Sequence, residues 1–117
     1  MDGRLKRGTI VLAIYPFTDL SSTKRRPALV VSATERADTD CILAFITSHV
    51  EKNDVTDLVL DVRDADFTTT GLSMASAIRC GKLMTLDRSL LTGRLGQLSE
   101  RLMSQVNLKL RKALDLL

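Results

Sequence analysis

The chain has 117 residues, of which 44% are hydrophobic and 26% are charged, as in an ordinary globular domain. The sequence contains neither a signal-peptide core nor a long apolar span, so we expect a cytoplasmic protein that does not enter the membrane. Aromatic residues make up 3% of the chain and Trp is absent, which argues against a nucleic-acid binder that relies on stacked bases.

The net charge of +3 is distributed unevenly along the chain. Residues 1–36 carry a net charge of +4, residues 37–66 carry −6 and residues 67–117 carry +5. If the two basic ends meet in the fold, they form a positive face suited to a polyanion or an acidic peptide. The alternative is that the charges spread evenly over the surface.

The two cysteines, Cys41 and Cys80, each lie inside an apolar run without a second Cys or a His at metal-ligand spacing. We therefore expect two buried thiols and no metal site. Between the two, Cys80 has the setting closer to that of a reactive thiol, because it follows Arg79.

Three apolar runs at residues 9–15, 28–32 and 41–46 are predicted to be strands, and Pro16 closes the first. The continuous hydrophobicity of the first and third runs indicates burial on both faces. The polar segments between them are too short to hold crossover helices, which favours antiparallel pairing.

The second half of the sheet is predicted from shorter segments. Polar and apolar residues alternate over residues 57–61, as in a short strand with one solvent-exposed face. Residues 68–71 have the composition of a loop. Residues 76–80 and 82–86 form strands around Gly81, where we expect a bulge or a close backbone approach. Asp87 can cap one helical turn at residues 88–91, and residues 93–98 add a further short strand.

From Ser99 the apolar residues follow a helical period. Ser99 is a good N-cap, and Glu100 suits the first turn of a helix. The apolar positions near a 3.6-residue repeat are Leu102, Val106, Leu110, Ala113, Leu114 and Leu117. This amphipathic helix is expected to cover the open mouth of a small barrel. The predicted fold is therefore mainly β with α, a partly open antiparallel β-barrel with a C-terminal helix.

Three cations, Lys24, Arg25 and Arg26, run directly into Pro27 and the second predicted strand. Pro27 suits the first position of a strand and restricts Arg26 to extended geometry. Residues 17–23 add a loop rich in hydroxyl groups, so the segment has the chemistry of an anion site. The alternative is a solvated basic turn before an ordinary strand.

Several blocks of the sequence resemble the MazF/PemK family, the ribonuclease toxins of bacterial toxin-antitoxin pairs. These blocks lie at residues 7–12, 26–32, 46–48, 77–79 and 83–87 and in the terminal helix, in the order and near the spacing of the family. The resemblance implies one toxin domain over residues 1–117 with an SH3-like barrel that forms a homodimer. It also implies sequence-selective, metal-independent cleavage of single-stranded RNA without a cofactor, and neutralisation by an acidic antitoxin.

The resemblance assigns catalytic roles to two residues, Arg26 and Thr47. In the implied reaction the 2′-hydroxyl of the substrate attacks the adjacent phosphorus, which leaves a 2′,3′-cyclic phosphate and a 5′-hydroxyl. Arg26 supplies a permanently charged, bidentate donor, and Thr47 supplies a directed hydroxyl at a strand end.

Further residues are candidates for catalysis or RNA binding. Arg79 matches an arginine of the PemK branch, but Gly81 stands where that branch can have a carboxylate. Ser48 adjoins Thr47, and His49 shares its face if the strand continues, although a solvated turn histidine is the alternative. The expected RNA-binding loop consists of Ser21, Ser22, Thr23, Lys24 and Arg25.

Two other functions fit the same barrel. A binding module such as a CcdB-like gyrase poison would act through its terminal helix, and a silent relative would bind RNA or an acidic peptide without cutting. The pair Arg26 and Thr47 favours the nuclease, because a gyrase poison does not need it. A homodimer would cover the outer faces of the apolar runs, unless the barrel interior and the helix absorb them.

Overall fold

The computed structural model describes residues 5–14, 24–34, 40–51 and 53–117. Within these ranges the chain forms six strands and one α-helix: Thr9–Ile14 (β1), Arg25–Val30 (β2), Asp40–Thr47 (β3), Asp57–Leu60 (β4), Ser76–Asp87 (β5), Leu91–Gln97 (β6) and Glu100–Leu114 (α1). Single turns of 3-10 helix at Thr68–Thr70 and Arg88–Leu90 precede β5 and β6. In the described part of the chain, no helix is long and apolar enough to cross a membrane.

The strands form one antiparallel sheet in the order β4-β5-β3-β2-β1-β6. Because β4 and β6 lie at opposite ends of this order, the described strands make an open barrel, as predicted. The turn at Thr68–Thr70 packs against β6. Gly71 and Gly96 permit this approach, since a Cβ on Gly71 would lie 2.0 Å from the Leu95 carbonyl oxygen and one on Gly96 would lie 2.3 Å from that of Thr69.

Apolar side chains form a core on each face of the sheet. The first core includes Ile10, Leu29 and Ile78 and is covered by Leu102 and Val106 of α1. The second core, on the other face, is built around Val11, Val30 and Leu43. The apolar runs of β1 and β3 are therefore covered on both faces within one chain, which removes the need for a second copy to cover them.

Helix α1 begins at the predicted cap, where the Ser99 hydroxyl accepts a hydrogen bond from the Leu102 amide. The Arg7 guanidinium ties the helix to the sheet by donating to Asn107 Oδ1 (2.7 Å) and to the Val31 carbonyl (2.8 Å). The predicted apolar stripe is buried at its start, but Leu114 and Leu117 at its end are exposed. The helix stops at Asp115, which adopts the left-handed conformation.

The second strand differs from its prediction. It begins at Arg25 instead of residue 28, because Arg25 and Arg26 pair with Ile14 and Ala13 of β1. Pro27 is thus the third residue of β2, a position it tolerates because regular pairing with β3 starts only at Ala28.

Smaller differences concern strand ends and one exposed face. Tyr15, Pro16 and residues 35–39 lie outside the described residues. The bulge at Gly81 is confirmed by a register shift between β3 and β5. The predicted solvent-exposed face of β4 is confirmed at Val59, which is exposed, and is wrong at Asp57, which is buried.

Candidate functional site

A groove of about 460 Å³ opens where the ends of β2 and β3 meet β5 and the loop at residues 72–74. Cationic, hydroxyl and imidazole side chains contribute its polar groups: Arg26, Thr47, Ser48, His49, Ser73, Ser76, Arg79 and Lys82. Its apolar part is formed by Pro27, Phe45, Ile46, Leu72 and Met74. Three cations beside several hydroxyl groups can bind a phosphate-bearing ligand.

The strand register explains why Arg26 and Thr47 meet. In the antiparallel pairing of β2 with β3, Val30 lies opposite Leu43 and Ala28 lies opposite Phe45. When this register is continued by two residues on each strand, Arg26 is aligned with Thr47. Both side chains therefore lie at the same end of the strand pair and on the same face, and both line the groove.

Arg79 reaches the groove from β5. It lies opposite Phe45 of β3 on one side and opposite Asp57 of β4 on the other, so it shares the face of Thr47. The Arg79 Nε atom is 3.8 Å from Asp57 Oδ2. The side chain of Arg79 is 31% exposed and that of Asp57 is 3% exposed, so the groove presents the cation and hides its counter-ion.

The Thr47 hydroxyl is held by the turn that follows β3. Its oxygen accepts a hydrogen bond from the His49 amide at 3.1 Å, which leaves the hydroxyl proton for a ligand. Because β3 ends at Thr47, His49 does not continue the strand as hypothesised, although it still lines the groove. Its side chain is 80% exposed, with Nδ1 3.6 Å from Glu51 Oε1.

Not all predicted residues meet at the groove. Lys24 and Arg25 are exposed at the start of β2 and are not among its lining residues. Ser21, Ser22 and Thr23 lie outside the described residues.

Sequence reasoning missed Lys82 and Asp57. Lys82 follows the bulge: Phe45 pairs with Arg79 but Ala44 pairs with Leu83, so residues 80–82 have no regular partner on β3. The glycine at position 81, inside a strand pattern, predicts this bulge and could have indicated Lys82 as a residue of the groove. Asp57 carried no local signal, because its position beside Arg79 depends on the pairing of β4 with β5.

The cysteines are buried thiols, as predicted. Burial, together with the nearby Asp57 carboxylate, raises the pKa of the Cys80 thiol to about 11. The thiol is therefore protonated at neutral pH and does not serve as a nucleophile. Among the described residues, no group of three or more His, Cys, Asp and Glu side chains is arranged to hold a metal ion.

Comparison with protein-family models identifies the chain over most of its length. Residues 6–114 match the model of the PemK-like, MazF-like toxins of type II toxin-antitoxin systems. The chain belongs to this toxin family. No curated protein matches the sequence significantly.

Solved MazF structures share the fold. The Mycobacterium tuberculosis toxin MazF-mt6 is 22% identical, with a TM-score of 0.74, and the match covers 92% of this chain and 97% of that one. MazF from Deinococcus radiodurans is 20% identical, with a TM-score of 0.75 and coverage of 98% and 100%. A mycobacterial endoribonuclease in complex with its cognate antitoxin is 22% identical, with a TM-score of 0.73 and coverage of 97% of both chains. These likenesses confirm the predicted fold class.

Proposed function

We propose that this member of the PemK/MazF family is a single-domain endoribonuclease toxin that cuts single-stranded RNA at short sequence motifs without a metal ion. The observation that carries the proposal is the convergence of Arg26, Arg79 and Thr47 on one groove. Family membership supports the toxin role, and the mycobacterial structural neighbour named an endoribonuclease supports the reaction class.

The groove chemistry suits attack by the 2′-hydroxyl of the RNA on the adjacent phosphorus. A new bond from the 2′-oxygen to phosphorus forms as the 2′-hydroxyl releases its proton to solvent, and the bond to the 5′-oxygen breaks as that oxygen takes up a proton from solvent. Charge builds on the non-bridging oxygens, where the guanidinium of Arg26 stabilises it. Thr47 donates its hydroxyl proton in a hydrogen bond to the same phosphate. The products are a 2′,3′-cyclic phosphate and a 5′-hydroxyl.

The partners follow from the same groove and from the family. We propose that an acidic antitoxin covers the groove in the cytoplasm, because acidic side chains can occupy the positions of RNA phosphates beside Arg26, Arg79 and Lys82. Solved neighbours include MazE–MazF complexes from Deinococcus radiodurans. A homodimer is proposed from family membership alone, since both sheet faces are covered within one chain.

The test is incubation of the purified protein with a long RNA of mixed sequence in EDTA, followed by mapping of the 5′ ends. We expect discrete cuts that carry 5′-hydroxyl groups, at the same positions with and without Mg²⁺. Cleavage that requires Mg²⁺ would contradict the metal-independent mechanism. RNA that stays intact in both conditions would reject the nuclease and favour the non-cleaving module, which is then tested for binding to gyrase and to RNA.

A further inference from the structure

A buried carboxylate lies behind the groove. Asp57 is the first residue of β4, and 3% of its side chain is exposed. Its Oδ2 atom accepts a hydrogen bond from the Asp54 amide at 3.1 Å, and its own amide donates to the Asp54 carbonyl at 3.0 Å. The first bond holds the carboxylate, and the second holds the turn that carries it. A buried charge is costly unless an opposite charge lies nearby.

Arg79 provides that opposite charge. The two residues are directly opposite in the register of β4 and β5, and Asp57 Oδ2 is 3.8 Å from Arg79 Nε. A guanidinium carries five N–H groups in a planar fork. Because the carboxylate lies on the Nε side, the Nη groups remain available to a ligand in the groove that Arg79 lines.

Long side chains lose rotamer freedom when they bind, and this loss reduces the benefit of a flexible arginine. A fixed carboxylate on the Nε side of the guanidinium restricts the Arg79 side chain before RNA binds, so less rotamer freedom is lost on binding. The same arrangement adds little negative charge to the groove surface, because the carboxylate is buried.

We propose that Asp57 is a positioning residue that holds the Arg79 guanidinium so that its Nη groups face the phosphate undergoing cleavage. Asp57 itself does not touch RNA. Because this role rests on the proposed ribonuclease function, its test starts from a cleavage site mapped with the wild-type protein.

The first variant is Asp57→Asn, which keeps an oxygen acceptor for the Asp54 amide but removes the charge that faces Arg79. We expect kcat to fall by about tenfold to a hundredfold, the range found when a supporting partner of a functional group is removed. We expect KM to stay within about twofold, because the groove keeps its cations. The matched control is Asp54→Asn, which removes an exposed carboxylate from the same turn and should leave kcat unchanged.

A double-mutant cycle separates positioning from a structural role. If Asp57 acts through Arg79, then adding Asp57→Asn to Arg79→Gln should change kcat by less than about twofold. If Asp57 only stabilises the turn, the substitution should cost the same factor in both backgrounds. Thermal unfolding of each variant identifies losses of activity that come from misfolding.

Four results would overturn the proposal. Wild-type cleavage with an unchanged kcat in Asp57→Asn would remove the role of Asp57 and leave the nuclease function standing. Equal losses in the two backgrounds would show a structural role. If Asp57→Asn does not fold, the variant Arg79→Lys replaces it as the test. Lysine keeps the positive charge beside Asp57 but lacks the planar set of N–H donors, so we expect kcat to be about tenfold lower. A wild-type kcat in this variant would contradict the positioning role. Absence of cleavage by the wild-type protein rejects the function and the positioning role together.

Discussion

Thr47 and Arg26 illustrate how strand register brings two residues that are distant in sequence to one groove. Each lies just beyond the paired stretch of β2 and β3, at the end where the two side chains line the groove. The His49 amide holds the Thr47 hydroxyl oxygen, so the direction of the remaining O–H is restricted. Residues at such strand ends combine a rigid backbone with an open side-chain environment, which suits catalysis.

Replacement of Thr47 by Val tests the hydroxyl with little change in shape. We expect Thr47→Val to lower kcat by about a hundredfold or more, because one directed donor to the developing charge is lost. Single-turnover cleavage of a mapped RNA site measures this change. Thr47→Ser should keep most of the activity, and a Val variant as active as wild type would exclude a role for the hydroxyl.

His49 is the matched comparison in the same turn. Its imidazole is exposed and close to Glu51, so we expect it to be a solvated side chain at the groove rim. His49→Ala should leave kcat and its pH dependence unchanged between pH 5 and 9, measured on the same RNA. A loss of one limb of the pH profile would instead identify His49 as a general acid or base.

The positions of residues at strand ends could be predicted from the sequence, whereas a contact between two strands that are distant in sequence could not. Arg26 and Thr47 each lie next to an apolar run, which places them locally. The contact of Arg79 with Asp57 requires the register of two strands that are separated by the loop at residues 61–75. Local patterns do not contain a register of this kind, because many pairings satisfy the same alternation.

At the scale of elements, the start of α1 is joined to the turn at residues 61–66. The Ser99 hydroxyl accepts from the Leu102 amide (3.2 Å) and donates to Asp66 Oδ2 (2.7 Å). Arg101 donates to the same carboxylate at 3.0 Å and also to Asp64. The hydrogen bond from Arg101 lowers the pKa of the Asp64 carboxyl below its usual value. The start of the helix is thereby fixed to the turn that follows β4.

Loss of this cap should affect stability without affecting catalysis. We expect Ser99→Ala to lower the free energy of unfolding by about 1–2 kcal/mol, because one helix amide loses its acceptor and Asp66 loses a donor. Urea denaturation measures the change. The control Ser104→Ala, on an exposed turn of the same helix, should change stability by less than about 0.5 kcal/mol. Equal effects of the two substitutions would contradict the capping role.

The helix start could be predicted from the sequence because capping is local: Ser99, Glu100 and the apolar period lie within a few residues of each other. The second strand was predicted to begin too late, because its first residues are charged and pair only with β1. Tertiary pairing overrides composition at this point.

At the scale of the whole molecule, the apolar cores lie on the two faces of the open sheet, and the groove lies at one end of its strands. Two apolar cores cover its faces, and α1 packs on one of them. The groove lies at one end of the three central strands β2, β3 and β5, where Arg26, Arg79 and Lys82 gather positive charge. The groove therefore brings together cations from both basic segments, Arg26 from the first and Arg79 and Lys82 from the last.

The measurement that tests this account most directly compares two adjacent arginines. Arg26 lines the groove, whereas Arg25 is exposed beside it and does not. In single-turnover cleavage of a mapped RNA site, we expect Arg26→Ala to lower the rate at saturating enzyme by at least about a hundredfold. Arg25→Ala should keep that rate within about twofold and change only the concentration needed for saturation. Equal rates for the two variants, or a larger loss for Arg25→Ala, would contradict the assignment of the groove as the active site.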